Sequence, residues 1–433
     1  MQRISRTDEL VEAQLDNKVQ FVYEIAFAKR ELTGLGAVPT GVGVKANVKL
    51  EDTIRFEIEP PFDEEALLKR LAHFKSIGGR ETEYSRIVAR NQTKRKSDNQ
   101  FLTHWYYPYK GKYHPRLVRS IFNIIQLQYG QAVLDPFVGS GTTTLEAHLF
   151  GLDSIGFDIS PVCEIISKVK VTSGEVAHKL PLYLKKAVEA MKNEFAIADS
   201  KSKNMKLLDY AENNSSTYLK FLKAIKDEKI RNFYKLAQLI FASDRGRRNR
   251  DFEAFEKNLN FMIASALDLT KTEKEISSDR PLGKTRIEIC DARTLKLNND
   301  TVDGIVTSPP YSIALNYMEN DRYALEELGI DIDKLSERCV GVKGKGEMKC
   351  KLYEKDMEKS YSEMYRVLKN GKYAVVVIGE AKVDGEPTKS VEHAIEYCKS
   401  IGFQLKDNLP KKIFGLYNTI NDESVLFLKK SNE

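Results

Sequence analysis

The segment TSPPY, residues 307–311, combines residue types that could do chemistry at the end of a strand. It follows the apolar run DGIV, and such short β-branched runs are typical of buried strands. Proline has no N–H to give to a sheet, so two prolines in succession end the strand. The loop that follows is rigid, and it carries a hydroxyl, fixed carbonyl oxygens and an aromatic ring. The pattern predicts a polar site at this point.

An earlier segment, LDPFVGSGTTTLEA, predicts a strand, a sharp turn at Gly139 and Gly141, and a helix. Glycine permits the close approach of a ligand to the backbone, and a helix N-terminus offers free N–H groups. Asp158 ends the next strand, about twenty residues further on, where an acid can bind ribose hydroxyls. Asp291 ends the third strand and could accept a hydrogen bond from an adenine amine. Together these residues predict a pocket for a cofactor that contains adenosine.

The same loop disfavours two common cofactor classes. A Walker A loop needs lysine after its last glycine, whereas Thr142 follows Gly141 here. A dinucleotide fingerprint needs a third glycine, where this sequence has threonine and leucine. The acid Asp135 at the start of the turn suits a positive ammonium group better than a pyrophosphate.

The motifs DPFVGSGTT and TSPPY together resemble those of the DNA amino-methyltransferases, which use S-adenosylmethionine to methylate the exocyclic amine of cytosine or adenine. Residues 104–122, HWYYPYKGKYHPRLVRSIF, resemble the segment that packs beside the methionine end of the cofactor in that family. The resemblance covers about 101–161 and 285–430. It implies S-adenosylmethionine as cofactor, bound by residues of the loop, the two strand ends and the first segment: Asp135, Pro136, Phe137, Gly139, Gly141, Thr142, Thr143, Asp158, Ile159, Asp291, Ala292 and His114.

The resemblance also implies catalytic roles for Ser308, Pro309, Pro310 and Tyr311. The lone pair of an exocyclic amine is delocalised into the base, so the amine is a poor nucleophile. Hydrogen bonds accepted from both N–H groups bias the nitrogen toward tetrahedral geometry. The implied acceptors are the Ser308 side chain and the Pro309 carbonyl, while Tyr311 would stack on a base flipped out of the duplex. This amine clamp is what the rigid loop would be for.

Serine at the first clamp position favours cytosine N4 over adenine N6 as the target, although adenine stays open. Methylation at cytosine C5 needs a Pro-Cys nucleophile, which this sequence lacks. The cofactor loop precedes the clamp, an order also found in RNA guanine-N2 methyltransferases, so RNA is an alternative substrate. A non-catalytic recognition subunit is a further alternative, but such a chain should have lost the clamp or the glycines. We therefore expect a site-specific DNA methyltransferase, of the kind found in restriction-modification systems with a separate endonuclease.

The surrounding elements predict a Rossmann-like, doubly wound α/β fold. Short apolar runs alternate with helical segments, and GFQLKDNLPKKIFGL with ESVLFLKK suggests a terminal antiparallel pair. We expect four parts: an N-terminal α+β region with a basic linker (1–100), the cofactor half of the core (101–163), a helical insertion that is a candidate target-recognition domain (164–283), and the catalytic half (284–433). Within the first part we expect a hairpin in KANVKLEDTIRFEIEPPF and a helix in DEEALLKRLAHFKSIGG. Later, YSEMYRVLKNGK should be a helix that Gly371 closes.

Composition bounds the remaining expectations. The 433 residues carry a net charge of +6, which permits a polyanionic partner without requiring one. The five cysteines are scattered and none forms a C-x-x-C pair, which argues against disulfides and against a zinc site. The sequence shows neither a signal-peptide pattern nor an apolar run long enough to span a membrane. We therefore expect a cytoplasmic protein that binds neither membrane nor metal. Candidate nucleic-acid contacts are an arginine cluster, a basic run and one aromatic: Arg245, Arg247, Arg248, Arg250, Lys94, Arg95, Lys96 and Tyr317.

Overall fold

The computed structural model describes residues 10–19, 21–43, 54–90, 99–200, 216–248, 250–311, 317–344, 346–380, 382–383, 386–412 and 422–431. The predicted basic run Lys94, Arg95 and Lys96 lies outside these residues. Among the described residues, no helix is long and apolar enough to cross a membrane.

The N-terminal region is a small antiparallel sheet packed on helices. Its strands take the order β2-β3-β1-β4-β5, and its core includes Leu15, Phe56 and Phe74. Buried Glu31 joins this region to the rest of the chain, because its carboxylate accepts a hydrogen bond from Asn123 at 2.6 Å. The elements are β1 (Val11–Leu15), α1 (Val22–Gly34), β2 (Val38–Gly43), β3 (Arg55–Glu59), α2 (Glu64–Arg70), β4 (Phe74–Ile77), β5 (Arg80–Glu81) and α3 (Glu83–Ala89).

Two local predictions fare differently in this region. The IRFEI arm of the predicted hairpin is β3, but the VKL arm falls on residues outside the described ranges. The predicted helix begins as expected, since Asp63 accepts a hydrogen bond from the N–H of Ala66 at 3.0 Å. It ends at Arg70 instead of continuing to Gly79. Residues 74–77 form β4 because they pair with β1, which buries Phe74 and Ile77 in the small core.

The central sheet confirms the predicted doubly wound α/β fold. Its seven strands lie in the order β13-β14-β10-β9-β6-β7-β8. Only β14 of these strands runs antiparallel to its neighbours, β10 and β13, which confirms the predicted terminal pair. The strands are β6 (Ala132–Asp135), β7 (Asp153–Asp158), β8 (Thr285–Ile289), β9 (Val302–Thr307), β10 (Leu368–Gly379), β13 (Phe403–Lys412) and β14 (Asp422–Lys430), and a two-stranded ribbon is formed by β11 (Lys382–Val383) and β12 (Glu386–Pro387).

Helices cover the sheet and fill the long connection between β7 and β8. Strand β9 is buried along its whole length, as a strand covered on both faces should be. The predicted start of the insertion, residue 164, falls inside the crossover helix that follows β7. The helices up to β8 are α4 (Pro115–Ile124), α5 (Thr142–Phe150), α6 (Pro161–Val176), α7 (Pro181–Ser200), α8 (Thr217–Ala224), α9 (Glu228–Arg248) and α10 (Phe252–Ser277).

The connection from β9 to β10 is also helical. It contains α11 (Tyr317–Asn320), α12 (Arg322–Glu327), α13 (Ile332–Arg338) and α14 (Gly346–Val367), and α15 (Ser390–Ser400) follows β10. The prediction that Gly371 closes the helix is wrong, because α14 ends at Val367 and β10 begins at the next residue. Gly371 instead lies within the strand, with a φ of 73° at a point where the pairing with β9 is irregular.

Candidate active site

The glycine-rich loop joins β6 to α5 and forms one wall of a pocket. Gly139 and Gly141 have φ values of 48° and 74°, in the left-handed region that favours glycine. A Cβ at Gly141 would lie 2.9 Å from the Cα of Ser167 on α6, so the space is closed as well. The loop therefore needs glycine both for its turn and for its packing against α6.

Asp135, at the end of β6, lies behind the pocket wall. Its carboxylate is fully buried and accepts hydrogen bonds from the Thr143 hydroxyl at 2.6 Å, the Thr307 hydroxyl at 2.7 Å and the Tyr113 hydroxyl at 3.0 Å. Burial raises the pKa of Asp135, against the effect of these hydrogen bonds. The carboxylate thus ties β6, α5 and β9 together. A direct contact with a ligand's ammonium group stays a prediction, since Asp135 does not line the pocket.

The pocket lies at the carboxyl ends of β6, β7, β8 and β9, where ligands bind in doubly wound folds. Several predicted residues line it: Pro136, Phe137, Gly139, Thr142, Asp158, Ile159, Asp291, Ala292, Ser308, Pro310 and Tyr317. Other predicted residues do not: Asp135, Gly141, Thr143, His114, Pro309 and Tyr311. The structure therefore brings the cofactor loop and the first clamp residue into one cavity.

Asp158 projects into this pocket from the end of β7. Its carboxylate accepts hydrogen bonds from the backbone N–H of Gly139 at 3.0 Å and of Ser160 at 2.9 Å. Burial raises its pKa to about 6, although these two hydrogen bonds act in the opposite direction. Each carboxylate oxygen keeps a lone pair, so Asp158 can still accept hydrogen bonds from two hydroxyl groups.

Asp291 lines the pocket beyond the end of β8, and its carboxylate is bound by a neighbour. Arg293 donates to both oxygens, at 2.9 and 2.7 Å. Burial alone would raise the pKa of Asp291, but the hydrogen bonds from Arg293 outweigh it and the pKa is lowered. Arg293 also forms an ion pair with Asp356 at 2.8 Å, and this contact further fixes the position of the Asp291–Arg293 pair. Contact between Asp291 and an adenine amine stays a prediction.

His114 is a helix cap in this structure. Its Nδ1 accepts a hydrogen bond from the N–H of Arg116 at 3.1 Å, at the start of α4. Burial lowers its pKa well below the ordinary value, which keeps the ring neutral and able to accept. Cofactor contact by His114 therefore stays a prediction, and the neighbouring Lys112 and Tyr113 line the pocket in its place.

Lys112 was not predicted as a site residue. Its ammonium donates to the carbonyl oxygens of Asn99 at 2.7 Å and His104 at 2.8 Å. Burial lowers its pKa to about 7. In its protonated form the group carries three N–H groups, so one is then left for a pocket ligand. The sequence contained one signal for this residue: Lys112 lies two residues before His114, within the segment 104–122 that resembles the family.

The clamp residues follow β9 directly. Ser308 and Pro310 face the pocket, whereas Pro309 and Tyr311 are buried behind it. The Tyr311 hydroxyl donates to Oε1 of Glu423 at 2.7 Å and lies 3.3 Å from the Ser308 hydroxyl. Tyr317 lines the pocket and stacks on Tyr109, with ring centroids 6.1 Å apart. Stacking of Tyr311 on a base stays a prediction, and in this structure Tyr317 offers the accessible ring.

Asp321 is a third acid that lines the pocket, and it was not predicted. It begins α12, is 4% exposed, and accepts a hydrogen bond from the Tyr107 hydroxyl at 3.0 Å. Burial raises its pKa to about 6. Arg247 of α9 lies 4.0 Å away, which brings the helical insertion to the edge of the pocket. No motif in the sequence singles out Asp321.

The predicted arginine cluster lies at the carboxyl end of α9 and just beyond it. Arg248 and Arg250 are exposed, and Arg248 forms only a surface pair with Asp244 at 3.6 Å. Arg245 is half-buried, and Arg247 turns toward Asp321. The cluster is therefore divided between solvent and the pocket. Its contact with nucleic acid stays a prediction.

These features bring the predicted cofactor loop and the predicted clamp to one pocket at the carboxyl edge of a doubly wound sheet. Residues 74–168 match the N6_N4_Mtase family model, described as DNA methylase. Type II methyltransferase M.BsoBI of Geobacillus stearothermophilus is 23% identical over 62% of this chain and 60% of its own length. Type II methyltransferase M.MjaII of Methanocaldococcus jannaschii is 41% identical over 17% of this chain and 14% of its own. The chain thus spans less than two thirds of either relative.

The predicted resemblance is confirmed by this family match: the chain is related to the N6/N4 DNA methylases. A methyltransferase structure from Methanosarcina mazei is 12% identical, with a TM-score of 0.32, and covers 71% of this chain and 95% of its own. The fold of this chain follows from its own strand order.

The family match implies S-adenosylmethionine as the cofactor, and the pocket fits a polar ligand of this kind. The Thr142 hydroxyl is buried at the pocket wall and has no hydrogen-bond partner within the described ranges. Apolar Phe137, Ile159 and Val340 line the same space as the carboxylate of Asp158. The pocket therefore offers both apolar surface for a base and polar groups for ribose and an amino acid.

Proposed function

We propose that this protein transfers a methyl group from S-adenosylmethionine to the exocyclic N4 amine of cytosine at a specific site in double-stranded DNA. One observation carries the proposal. Ser308 of the clamp lines the same pocket as Asp158 and the glycine-rich loop. A methyl donor held by the loop and an amine held by Ser308 would therefore meet in one cavity. The family match to DNA methylases supports DNA as the substrate.

The chain's own residues would hold the cofactor at three points. Asp158 would accept hydrogen bonds from the ribose hydroxyls, and Asp291 with Ala292 would border the adenine. Lys112 and Thr142 would meet the polar methionine end, since both offer unused hydrogen-bonding capacity there. When bound, S-adenosylmethionine supplies an electrophilic methyl group.

The clamp would act on the target amine. The Ser308 hydroxyl oxygen and the Pro309 carbonyl would each accept one N–H, which favours a tetrahedral nitrogen and frees its lone pair. Residues on both sides hold the clamp. Thr307 is hydrogen-bonded to Asp135, and the Tyr311 hydroxyl to Glu423. Such preorganisation reduces the rearrangement needed during the reaction.

Nucleoside analysis tests the proposal. The protein is incubated with labelled S-adenosylmethionine and either plasmid DNA or total RNA, and the hydrolysed nucleosides are identified by mass. N4-methylcytosine from DNA is the expected product, and Ser308→Ala should lower its rate by about a hundredfold, the usual effect of losing one preorganised hydrogen-bonding group. N6-methyladenine would replace cytosine by adenine as the target. Label found only in RNA, or in neither polymer, would contradict a DNA methyltransferase.

A further inference from the structure

A chain of three hydrogen-bonded side chains leads from the clamp to the C-terminal hairpin. The Ser308 hydroxyl lies 3.3 Å from the Tyr311 hydroxyl, which donates to Oε1 of Glu423 at 2.7 Å. Glu423 lies on β14 and is 6% exposed. Its other oxygen, Oε2, forms an ion pair with Lys411 of β13. The clamp serine is thus connected to a buried carboxylate 112 residues from Tyr311.

The number of hydrogens available determines which group donates in each of these hydrogen bonds. A carboxylate in an ion pair only accepts hydrogen bonds, so the single hydroxyl hydrogen of Tyr311 must go to Glu423. The Tyr311 oxygen can then take part in the 3.3 Å contact only as an acceptor, which directs the hydrogen of Ser308 toward Tyr311. The lone pairs of Ser308 remain, and Ser308 lines the pocket. A free serine hydroxyl could donate or accept, whereas this one is left to accept.

We propose that Glu423 is a positioning residue which, through Tyr311, fixes the Ser308 hydroxyl as a hydrogen-bond acceptor for the target amine. This inference rests on the proposed function. It gives the serine clamp the property that a carboxylate would have inherently, namely that it cannot donate. It also assigns Tyr311 a role that its burial allows, since 5% exposure leaves little ring surface for a base.

The proposed role of Glu423 predicts which bases the protein accepts at the target position. A base that carries a carbonyl oxygen in place of the amine would face the lone pairs of Ser308 and leave both acceptors unpaired. Sites built around a specific hydrogen bond reject such analogues strongly. Uracil differs from cytosine, and hypoxanthine from adenine, by this replacement. The protein should therefore bind DNA with the amine-bearing base in preference to its carbonyl analogue.

The test measures that preference without the methyl transfer step. The target position is first located by mapping the methylated base, and duplexes with cytosine, uracil or an abasic site there are then titrated with protein. Glu423→Gln should reduce the preference for cytosine over uracil at least about tenfold, since an amide can donate to Tyr311 and reverse the chain. Tyr311→Phe should do the same, because Ser308 is then free to rotate. Affinities for the abasic duplex and for S-adenosylmethionine should not change.

Controls separate this effect from general damage. Tyr361 is 2% exposed, and its hydroxyl has no hydrogen-bond partner among the residues described, so Tyr361→Phe should keep the cytosine preference. Tyr311→Phe keeps the aromatic ring. If a thermal melt shows that Glu423→Gln is not folded, Tyr311→Phe alone provides the test. The Ser308→Asp variant has a carboxylate at position 308, which accepts hydrogen bonds without help from Tyr311. Adding Glu423→Gln to this variant should therefore change the preference for cytosine over uracil by less than about twofold.

An unchanged preference for cytosine over uracil in a folded Glu423→Gln or Tyr311→Phe variant overturns the inference. So does an equal loss of abasic-duplex binding, which would show a merely structural role. If the product is N6-methyladenine, the same variants are compared on adenine and hypoxanthine, with the same expected result. Failure of the proposed function looks different, because the unchanged protein would then yield no methylated nucleoside from DNA.

Discussion

The raised pKa of Asp158 leads to a prediction about how cofactor binding depends on pH. Its pKa is raised to about 6 by burial, so in the folded protein the group becomes protonated as the pH falls through that value. In the proposed role, Asp158 accepts hydrogen bonds from the ribose hydroxyls, and protonation would weaken it as an acceptor. Another acid that lines the pocket, Asp321, also has a pKa raised to about 6, so the contributions of Asp158 and Asp321 have to be separated by substitution.

We therefore expect the affinity for S-adenosylmethionine to fall roughly tenfold between pH 7 and pH 5, as linkage to one group with this pKa requires. Calorimetry across this range measures it. Asp158→Asn should bind more weakly and lose the pH dependence, whereas Asp321→Asn should keep it. A flat profile in the unchanged protein, or a fall that persists in Asp158→Asn, would show that another group is responsible.

Lys170 is a buried residue to which the candidate active site gives no role. It belongs to α6, is fully buried, and its ammonium nitrogen has no hydrogen-bond partner within the described ranges. Burial lowers its pKa well below 10.5, and nearby Lys112 adds to this effect. A pKa that folding lowers costs stability while the unfolded chain is protonated, and this cost disappears as the pH rises through 10.5.

Lys170→Met should accordingly raise the free energy of unfolding at pH 7, by about 1–3 kcal/mol for removing one unsatisfied buried group. The gain should shrink as the pH approaches 10.5. Thermal or urea unfolding at pH 7, 8.5 and 10 gives the comparison. A variant that is less stable at pH 7 would indicate that Lys170 has a partner when the protein is in solution.

The site residues that sequence could predict are those whose motifs are local. Gly139, Asp158 and Ser308 each stand at the end of a recognisable strand, and all three line the pocket. Asp321 and Glu423 could not be found in this way. Each matters through contacts between distant segments, such as Tyr107 with Asp321, or Tyr311 with Glu423. The pair Asp291 and Arg293 is local but depends on the rotamer of the arginine, which no motif specifies.

At the scale of elements, boundaries were harder to predict than element types. The strand, turn and helix of the cofactor loop follow the pattern of LDPFVGSGTTTLEA closely. Gly371 misled the prediction because a glycine after a helical pattern usually marks a helix end. Here the chain passes from α14 to β10 without a loop, since Leu368 already pairs with Val302 of β9. Tertiary pairing, which a local pattern does not contain, decided the boundary.

The contact between α9 and α12 joins the helical insertion to the segment after the clamp, and it depends on one glycine. A Cβ at Gly246 would lie 2.4 Å from the Tyr323 ring. Gln238 of α9 also donates to Glu327 of α12 at 2.6 Å. The two helices therefore approach as closely as their side chains permit.

Gly246→Ala should consequently destabilise the protein by about 1–3 kcal/mol, as overpacking usually does, despite the higher helix propensity of alanine. Urea unfolding measures the change. The double variant with Tyr323→Ala should recover most of the loss, because the obstructing ring is gone. If Gly246→Ala is neutral by itself, α9 and α12 have room to separate.

At the scale of the whole molecule, the exposed and pocket-facing members of the arginine cluster lead to separate predictions for DNA binding and for pocket electrostatics. Arg248 is exposed, while Arg247 lies 4.0 Å from Asp321 at the pocket. A side chain that contacts a phosphate releases a counterion, so its removal lowers the salt dependence of binding by about one unit. The two neighbouring arginines should thus behave differently.

Arg248→Gln should reduce the slope of the logarithm of DNA affinity against the logarithm of salt concentration by about 0.9, with little effect on cofactor affinity. Arg247→Gln should change cofactor affinity and leave the slope nearly unaltered. Anisotropy titrations between 50 and 200 mM salt, with calorimetry beside them, measure both quantities. Equal slopes for Arg248→Gln and the unchanged protein would assign the cluster to a solvated face.

The hydrogen bond between Asp135 and Thr307 also has a consequence in time. The two residues stand 172 positions apart, with the helical insertion between them. At about 5–20 residues per second, a ribosome needs roughly 10–35 seconds to reach Thr307 after making Asp135. Until then the carboxylate lacks the hydrogen bond from Thr307, and β6 lacks its neighbour β9. The cofactor pocket is therefore assembled late in synthesis, and a nascent chain released before residue 307 should bind no S-adenosylmethionine.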